Sequence, residues 1–352
     1  PATIFGGSSG NYIETQLGQK YNKSVSLTFS WDILNLDVWN ANNFARVNSD
    51  ISEYTHLLQT ENVLENCLVN YYNAVYYNSI LDSLDVYLDI QETIHKSALD
   101  KYNEGLISII DLNKIKTNYN ALEIIKISNK QNLVVTTNNI LLLLDCNVNN
   151  QIIINEKFCT LPIEIQSAPK FNAASLNKNY EIDISQKQYE SSIIAVQSAT
   201  SQNFPKISLI GSLSYQKNSN ELQLFGSDYN SSSYIGIKLE RNIFSGFNTT
   251  NRIEKAEIEK EIAELNNHYT KSKIEVMNNT LIENFFTVNK NLNVSYSSST
   301  LTYLNMIAQK NKYDEGVISA EIYSTSINDY LNSLIKYFNN KVEYYVTKGK
   351  IE

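Results

Sequence analysis

Catalysis near neutral pH leans on histidine, cysteine and paired carboxylates, and this chain spends few residues on the first two. It has three histidines (His56, His95, His268) and three cysteines (Cys67, Cys146, Cys159). No nucleophile or acid stands at a useful spacing from any histidine, which leaves them packing or surface roles. The odd cysteine set has no Cys-x-x-Cys pair, so it suggests neither a disulfide framework nor a zinc site. A Cys146–Cys159 bridge stays open beside the plainer reading of buried free thiols. Gly6-Gly7-Ser-Ser-Gly10 falls in a strand and its loop rather than before a helix, which is the wrong place for a phosphate cradle. The 24 tyrosines lack interleaved basic residues, so they read as helix-packing and interface rings rather than as platforms for nucleic-acid bases. The net charge of −8 points the same way, because no basic face is available to displace counterions from phosphates. The expectation is a non-enzyme with no catalytic, cofactor or metal residues.

What does recur with fixed spacing is a turn. Lys101-Tyr-Asn-Glu-Gly-Leu-Ile-Ser108 and Lys312-Tyr-Asp-Glu-Gly-Val-Ile-Ser319 share six of eight residues at an offset of 211. Tyr119 and Tyr330 keep that offset, and Phe29–Leu34 aligns with Leu239–Phe244 at 210. The chain is a duplicated unit. Glycine and proline break helices, yet no proline lies between Ala2 and Leu161 and no glycine between Gly18 and Gly105. Apolar residues at helical spacing fill 38–102, from Ile51 and Tyr54 through Leu84 and Leu88. Such a helix would be roughly 100 Å long, far beyond a compact domain of this size. It belongs to a coiled coil, a stalk or a tube. Helices at 109–144 and 172–204 would together climb the same distance back. The repeat also calls for an ascending helix before Pro1, so the chain reads as a fragment lacking that helix and any export signal.

Three segments instead alternate with a period of two, the strand signature: Val25-Ser-Leu-Thr-Phe-Ser-Trp-Asp32, Ile207-Ser-Leu-Ile-Gly-Ser-Leu-Ser-Tyr215 and Tyr234-Ile-Gly-Ile-Lys-Leu-Glu240. Residues 1–9 form a weaker fourth. Strands of this length suit a tilted membrane barrel, but four cannot close one, and open edges are forbidden in lipid. In a membrane, several chains would share a barrel. Val25, Leu27, Phe29, Trp31, Ile207, Leu209, Ile235, Ile237 and Leu239 would then face lipid, and Ser24, Ser26, Thr28 and Asp32 a wet lumen. A soluble sheet with one buried face explains the alternation equally well. The longest apolar block, Ile140–Leu144, is far short of a membrane helix.

The doubled Tyr-x-x-Gly-x-x-Ser, the Pro-led strands, Trp31-Asp-Ile-Leu34, Asn242-Ile-Phe-Ser-Gly246 and Asn177-Lys-Asn-Tyr-Glu181 resemble the TolC-type outer-membrane efflux family, over nearly the whole chain. The resemblance implies a mainly α fold of long antiparallel helices forming a periplasmic α-barrel, with four β-strands per chain completing a trimeric twelve-stranded β-barrel. It implies a homotrimer in the outer membrane of a Gram-negative bacterium, extending into the periplasm. Its role would be passive export of drugs, ions or polypeptides, with a periplasmic adaptor and an inner-membrane pump as partners and no nucleic acid. The tips would form the gate and the docking site through Tyr102, Gly105, Ser108, Asp111, Tyr313, Gly316, Ser319, Ile322 and Thr325. Asp111 holds the place of the prototype's locking aspartate and Tyr313 that of its gate tyrosine, and Asp111 is the one carboxylate well placed to accept a hydroxyl offered by Tyr102 or Tyr313 to a neighbouring helix. The arginine partner falls on Ile318 and the constricting aspartates on Ile322 and Thr325, so closure here would be polar rather than acidic. A structural coiled-coil stalk or fibre is the alternative.

The boundaries that follow are a β-hairpin at 1–34, a helical hairpin at 35–144 with its tip at 102–108, an irregular equatorial segment at 145–171 and an ascending helix at 172–204. A second β-hairpin at 205–244, a helical hairpin at 245–345 with its tip at 313–319 and a tail at 346–352 complete the chain.

Overall fold

A computed structural model describes residues 18–147, 149–150, 152–158, 179–221 and 229–351. In chain order they form β1 (Tyr21–Leu34), α1 (Leu36–Asn103), α2 (Ile109–Leu143), α3 (Tyr180–Ser201), β2 (Lys206–Ser219), β3 (Asn230–Glu240), α4 (Asn248–Asp314) and α5 (Ala320–Ile351). The expected fourth strand at 1–9, residues 172–178 of the ascending helix and Cys159 lie outside the described residues. Cys67 and Cys146 are free thiols, and Cys146 is exposed rather than buried as expected. It sits just past the end of α2, clear of the core. No described helix is long and apolar enough to cross a membrane.

The chain divides into two units. The first takes the chain to Ile51 together with Ser185–Asn267. Its sheet is antiparallel in the order β1-β2-β3, so a strand of the first repeat pairs directly with one of the second. A bulge between Asp32 and Leu34 ends the regular pairing. There Asp32 accepts hydrogen bonds from Ser208 (2.7 Å) and Asn35 (2.7 Å), and the Asn35 side-chain oxygen accepts from the Asp37 amide to cap α1. Asp37 in turn pairs with Lys206 at 2.6 Å and accepts from Ser201. Burial pushes the Asp37 carboxyl up, but these two partners outweigh it and hold the group below its ordinary value. The corresponding junction after β3 is built differently. Gly246 and Phe247 both take positive φ (62° and 65°), and the Ser245 hydroxyl accepts from the Thr249 amide. The two halves of the repeat therefore differ in how strand gives way to helix.

The second unit comprises Ser52–Ile184 and the chain from His268 onward. Its core threads α1, α2, α4 and α5 through Val75, Ile80, Leu84, Ile115, Leu122, Leu292, Ile327 and Leu331, all at 1% exposure or less. Burial along α5 recurs every three or four residues (Tyr323, Ile327, Leu331, Leu334, Phe338, Val342), which is one helical stripe. Tyrosines carry α5 between its neighbours. Tyr330 meets Tyr87 of α1 at 5.5 Å and Tyr303 of α4 at 5.3 Å, while Tyr345 stacks on Tyr72 at 4.8 Å. Helix packing, as expected, is what these rings do.

Residues 152–158 dock on this unit through their backbone. The Phe158 amide donates to Ser79 (2.9 Å), its carbonyl accepts from the buried Lys341 ammonium (2.6 Å), and Lys157 pairs with Asp82 at 2.5 Å. Asn179 caps α3 by accepting from the amides of Glu181 and Ile182, which accounts for the Asn-Tyr-Glu of that motif. The expected tail at 346–352 is not a tail: α5 continues to Ile351. Near its end Gly349 lets α5 lie close against Leu68 of α1. Lys350 adds a bridge to Glu65 at 2.5 Å.

Burial raises Tyr76 and Tyr337 to about 12, with neighbouring tyrosines adding to it. A folded pKa above the ordinary value of 10 means that their stabilisation is intact below about pH 10 and lost as pH climbs through 12. Thermal melting should thus be flat from neutral pH to about 9.5 and fall steeply beyond it. Tyr337→Phe should shallow that fall without lowering the neutral-pH melting temperature.

Candidate functional site

Two features invite a functional reading: the two faces of the sheet and the two helix-hairpin tips. On the sheet, the register sets Leu27 beside Leu213, Phe29 beside Gly211 and Ile235, Trp31 beside Leu209 and Ile237, and Leu34 beside Ile207 and Leu239. Alternation puts all of these on one face. The opposite face carries Ser26, Ser214 and Ser232 in one row and Thr28, Ser212 and Tyr234 in the next. Among the described residues nothing covers the apolar face. Val25, Leu27, Trp31, Ile235, Ile237 and Leu239 are 67–74% exposed. Large contiguous apolar patches of this kind mark contact with something other than water. All nine expected lipid-facing residues lie on this face, although Ile207 and Leu209 are only partly exposed. Gly211 completes it, and sequence reasoning left it out. A Cβ there would strike the Phe29 ring, so the ring lies over the glycine and covers its bare backbone. The signal was a lone glycine inside a strand pattern.

At the tips, Gly105 and Gly316 share one geometry down to the hydrogen bond. Their φ values are 75° and 74°. Each donates to the tyrosine carbonyl three residues back (Tyr102, Tyr313) at 2.9 Å. The next amide, of Leu106 or Val317, reaches the lysine carbonyl of 101 or 312 at 2.8 Å. This pair of bonds ends both α1 and α4 in a Schellman motif. Two residues on, Ser108 and Ser319 open the following helices, each hydroxyl accepting the amide three residues ahead (Asp111 at 3.2 Å, Ile322 at 3.4 Å). Tyr-x-x-Gly-x-x-Ser is therefore the code for one helix stop and the next helix start.

The tips also touch each other. The Lys101 ammonium lies 6.0 Å from the Tyr313 ring centre, Lys114 bridges Glu321 at 3.2 Å, and Asn118 donates to Thr325 at 3.3 Å. Between α2 and α5, Lys114, Asn118, Glu321 and Thr325 line an open groove of about 390 Å³ together with Ile110. One expectation changes. Asp111 accepts from its own helix-capping Ser108 at 2.8 Å, not from a tyrosine, because the short Ser-x-x-Asp spacing brings the two side chains together first. Tyr313 stacks on Tyr323 at 5.3 Å instead. Tyr102 and Ile322 are exposed and Ile318 packs against the core.

The sequence left unmarked a third constellation, where Gln91, Ser324, Asn118 and Asn328 join three helices by side-chain hydrogen bonds. Nothing in the local spacing of a glutamine announces such a role. The histidines stay apart, with His95 held below its ordinary pKa by burial and then by Lys116. Among the described residues no cluster of acidic, histidine or cysteine side chains could hold a metal.

Neither a family model nor a curated protein sequence matches the chain. Solved structures do. The CmeC outer membrane channel of Campylobacter jejuni superimposes with a TM-score of 0.78 at 16% identity, covering 94% of this chain and 70% of that one. A membrane protein from Pseudomonas aeruginosa gives 0.77 at 13% identity, over 94% and 83% of the two chains. The outer membrane protein VceC of Vibrio cholerae gives 0.71 at 14%, over 96% and 84%. This is the fold of the TolC-type outer-membrane channels. In an outer-membrane channel fold an exposed apolar sheet face and matched helix turns are both expected, and at such low identity they stand here on this chain's own residues.

Gly211→Leu should force the Phe29 ring aside and cost about 1–3 kcal/mol. Gly236→Leu, where a Cβ meets open space, should be tolerated. The β-signal in circular dichroism, followed on heating, separates them. At the tips a Cβ on Gly105 or Gly316 would also meet open space, so valine there should cost backbone strain alone, ~1–2 kcal/mol each. That strain should appear as faster limited proteolysis near 105 or 316, with the sheet unaffected.

Proposed function

We propose that this chain is a protomer of a homotrimeric outer-membrane channel, the exit duct of a tripartite efflux or type I secretion system in a Gram-negative bacterium. The observation that carries the reading is the uncovered apolar sheet face. In water that face and its two open edges would drive aggregation. In lipid the face is satisfied, and the edges require closure by strands of other chains. Four strands from each of three chains make twelve, enough for a barrel with a wet interior. The hydroxyl-rich face of Ser26, Thr28, Ser212 and Ser214 would line that interior.

Exposed apolar side chains at the helix end of the sheet support the same reading. Trp39, Phe204, Ile243, Phe244 and Phe247 are 52–98% exposed, as suits a belt at a membrane–water boundary. The long helices would extend into the periplasm, and the tips would close the duct and dock a periplasmic adaptor. Transport is passive and non-enzymatic; an inner-membrane pump supplies the energy that moves drugs, ions or polypeptides through. A stalk or fibre would leave the apolar face without an occupant.

Leu27→Arg places a charge on the lipid face at a cost of ~2–4 kcal/mol and should abolish outer-membrane assembly, whereas Thr28→Arg should assemble normally. Light scattering of the detergent-solubilised wild type should give three times the protomer mass. Equal assembly of both variants, or a monodisperse monomer with intact β-structure, would sink the shared barrel.

A further inference from the structure

The apolar face of the sheet ends in two lysines. It runs from Trp31 beside Leu209 to Val25 beside Tyr215, and the next pair on it is Lys23 beside Lys217. Ten residues separate Ile207 from Lys217. At ~3.3 Å per residue and a tilt of ~40°, that is about 25 Å of depth, the height of the apolar band of an outer-membrane barrel. Tyrosines gather at the same level. Tyr215 is 45% exposed, and the Lys217 ammonium lies 5.8 Å from the Tyr229 ring centre. Rings and cations that follow an apolar band in this way mark the headgroup level of a bilayer.

Like charges directly opposite each other on neighbouring strands repel, and the strands themselves offer no relief. The acidic residues of β1, β2 and β3 are Asp32 and Glu240. Both stand at the helix end of the sheet, where Asp32 accepts from Ser208 and Asn35 and Glu240 pairs with Lys238 at 2.6 Å. The Lys23 ammonium nitrogen is shielded from solvent and has no hydrogen-bond partner among the described residues. A lysine normally carries its head out to water on its flexible stem. An ammonium kept from both water and an acceptor is costly. Two adjacent cations, one of them in this position, call for an anion from outside the chain.

We infer that Lys23 and Lys217 bind the phosphomonoester headgroup of a lipid, whose hydrocarbon chain lies on Val25, Leu27 and Tyr215. Charge selects the class. A phosphate monoester carries about −1.5 to −2 at neutral pH and so matches two ammonium groups. A phosphodiester brings a single charge and a zwitterionic headgroup no net charge. The Lys23 stem can swing its head to a phosphate beside Lys217, which turns their repulsion into a shared attraction. This assignment rests on the channel reading above, which puts this end of the sheet in the leaflet away from the helices. It adds which lipid the barrel prefers there and through which residues. Apolar side chains alone hold any lipid, and a pair of lysines chooses among them.

The test is lipid binding to the detergent-solubilised trimer, followed by native mass spectrometry and by melting temperature. The probes are phosphatidic acid, phosphatidylglycerol and phosphatidylcholine with the same acyl chains, and inorganic phosphate. Wild type should bind phosphatidic acid about tenfold more tightly than the other two lipids, as expected for one added charge-assisted contact. Lys23→Gln and Lys217→Gln should each remove that preference, and either serves if the other fails to fold. Lys238→Gln, on the hydroxyl-rich face, should keep it. Without lipid, Lys23→Gln should melt at least as high as wild type, since it relieves a repulsion. Phosphatidic acid should then raise the melting temperature of wild type but not of the variant. Equal binding of the three lipids by wild type, or an unchanged preference in both lysine variants, overturns the site while the channel reading stands. Lysine-dependent binding of inorganic phosphate as tight as that of phosphatidic acid gives the pair to free phosphate and overturns the lipid. A wild type that stays monomeric and dispersed without detergent overturns the channel reading and the site with it.

Discussion

A β-sheet with two unpaired edges and an apolar face turned outward cannot be the end of a folding problem. Every backbone amide and carbonyl needs a partner, and β1 and β3 each leave a full row of them without one among the described strands. In water the edge is an aggregation template, and in hydrocarbon it is forbidden. The rest of the molecule is arranged around this constraint. The Asp32–Asn35–Asp37 relay and its partner Lys206 convert strand into helix at the base of the sheet. The bulge after Asp32 turns the backbone out of the ladder where the helix must begin. Phe29 over Gly211 keeps the apolar face continuous at the one position where a side chain is missing.

The long helices obey a second rule, visible in their charges. Between Arg46 and Lys96, α1 carries acidic residues and no lysine or arginine. The cations come from elsewhere: Lys126 on α2 to Asp85, Lys157 to Asp82 and Lys350 on α5 to Glu65. Each bridge is exposed and individually worth little. Together they discriminate against sliding one helix along another, since a shift by a turn would break the matches at once. Aromatic pairs between α5 and its two neighbours set the same register from inside.

Local patterns were the legible part of the sequence. Period-two alternation marked the three described strands, the absence of breakers marked α1, and two lone glycines marked where α1 and α4 stop. Each of these is a property of neighbouring residues. What escaped was non-local. Gln91 looks like any helix-surface glutamine until Ser324 is brought beside it, and Phe158 looks like any loop aromatic until Ser79 and Lys341 grip its backbone. The end of α5, expected at 345, lies at Ile351, and the close approach to Leu68 accounts for the glycine the helix carries at 349. Asp111 misled for the opposite reason, since its partner was three residues away and not on another helix.

The pairing of β1 with β2 also sets an order of events. Tyr21 lies opposite Ser219 and Leu34 opposite Ile207, so this ladder closes a loop containing most of the first repeat, whereas each Schellman turn needs only half a dozen consecutive residues. Local contacts form fast and distant ones slowly. The helix hairpins should therefore be standing before the sheet exists, leaving the strands as the last part to find partners and the part a chaperone would most need to shield.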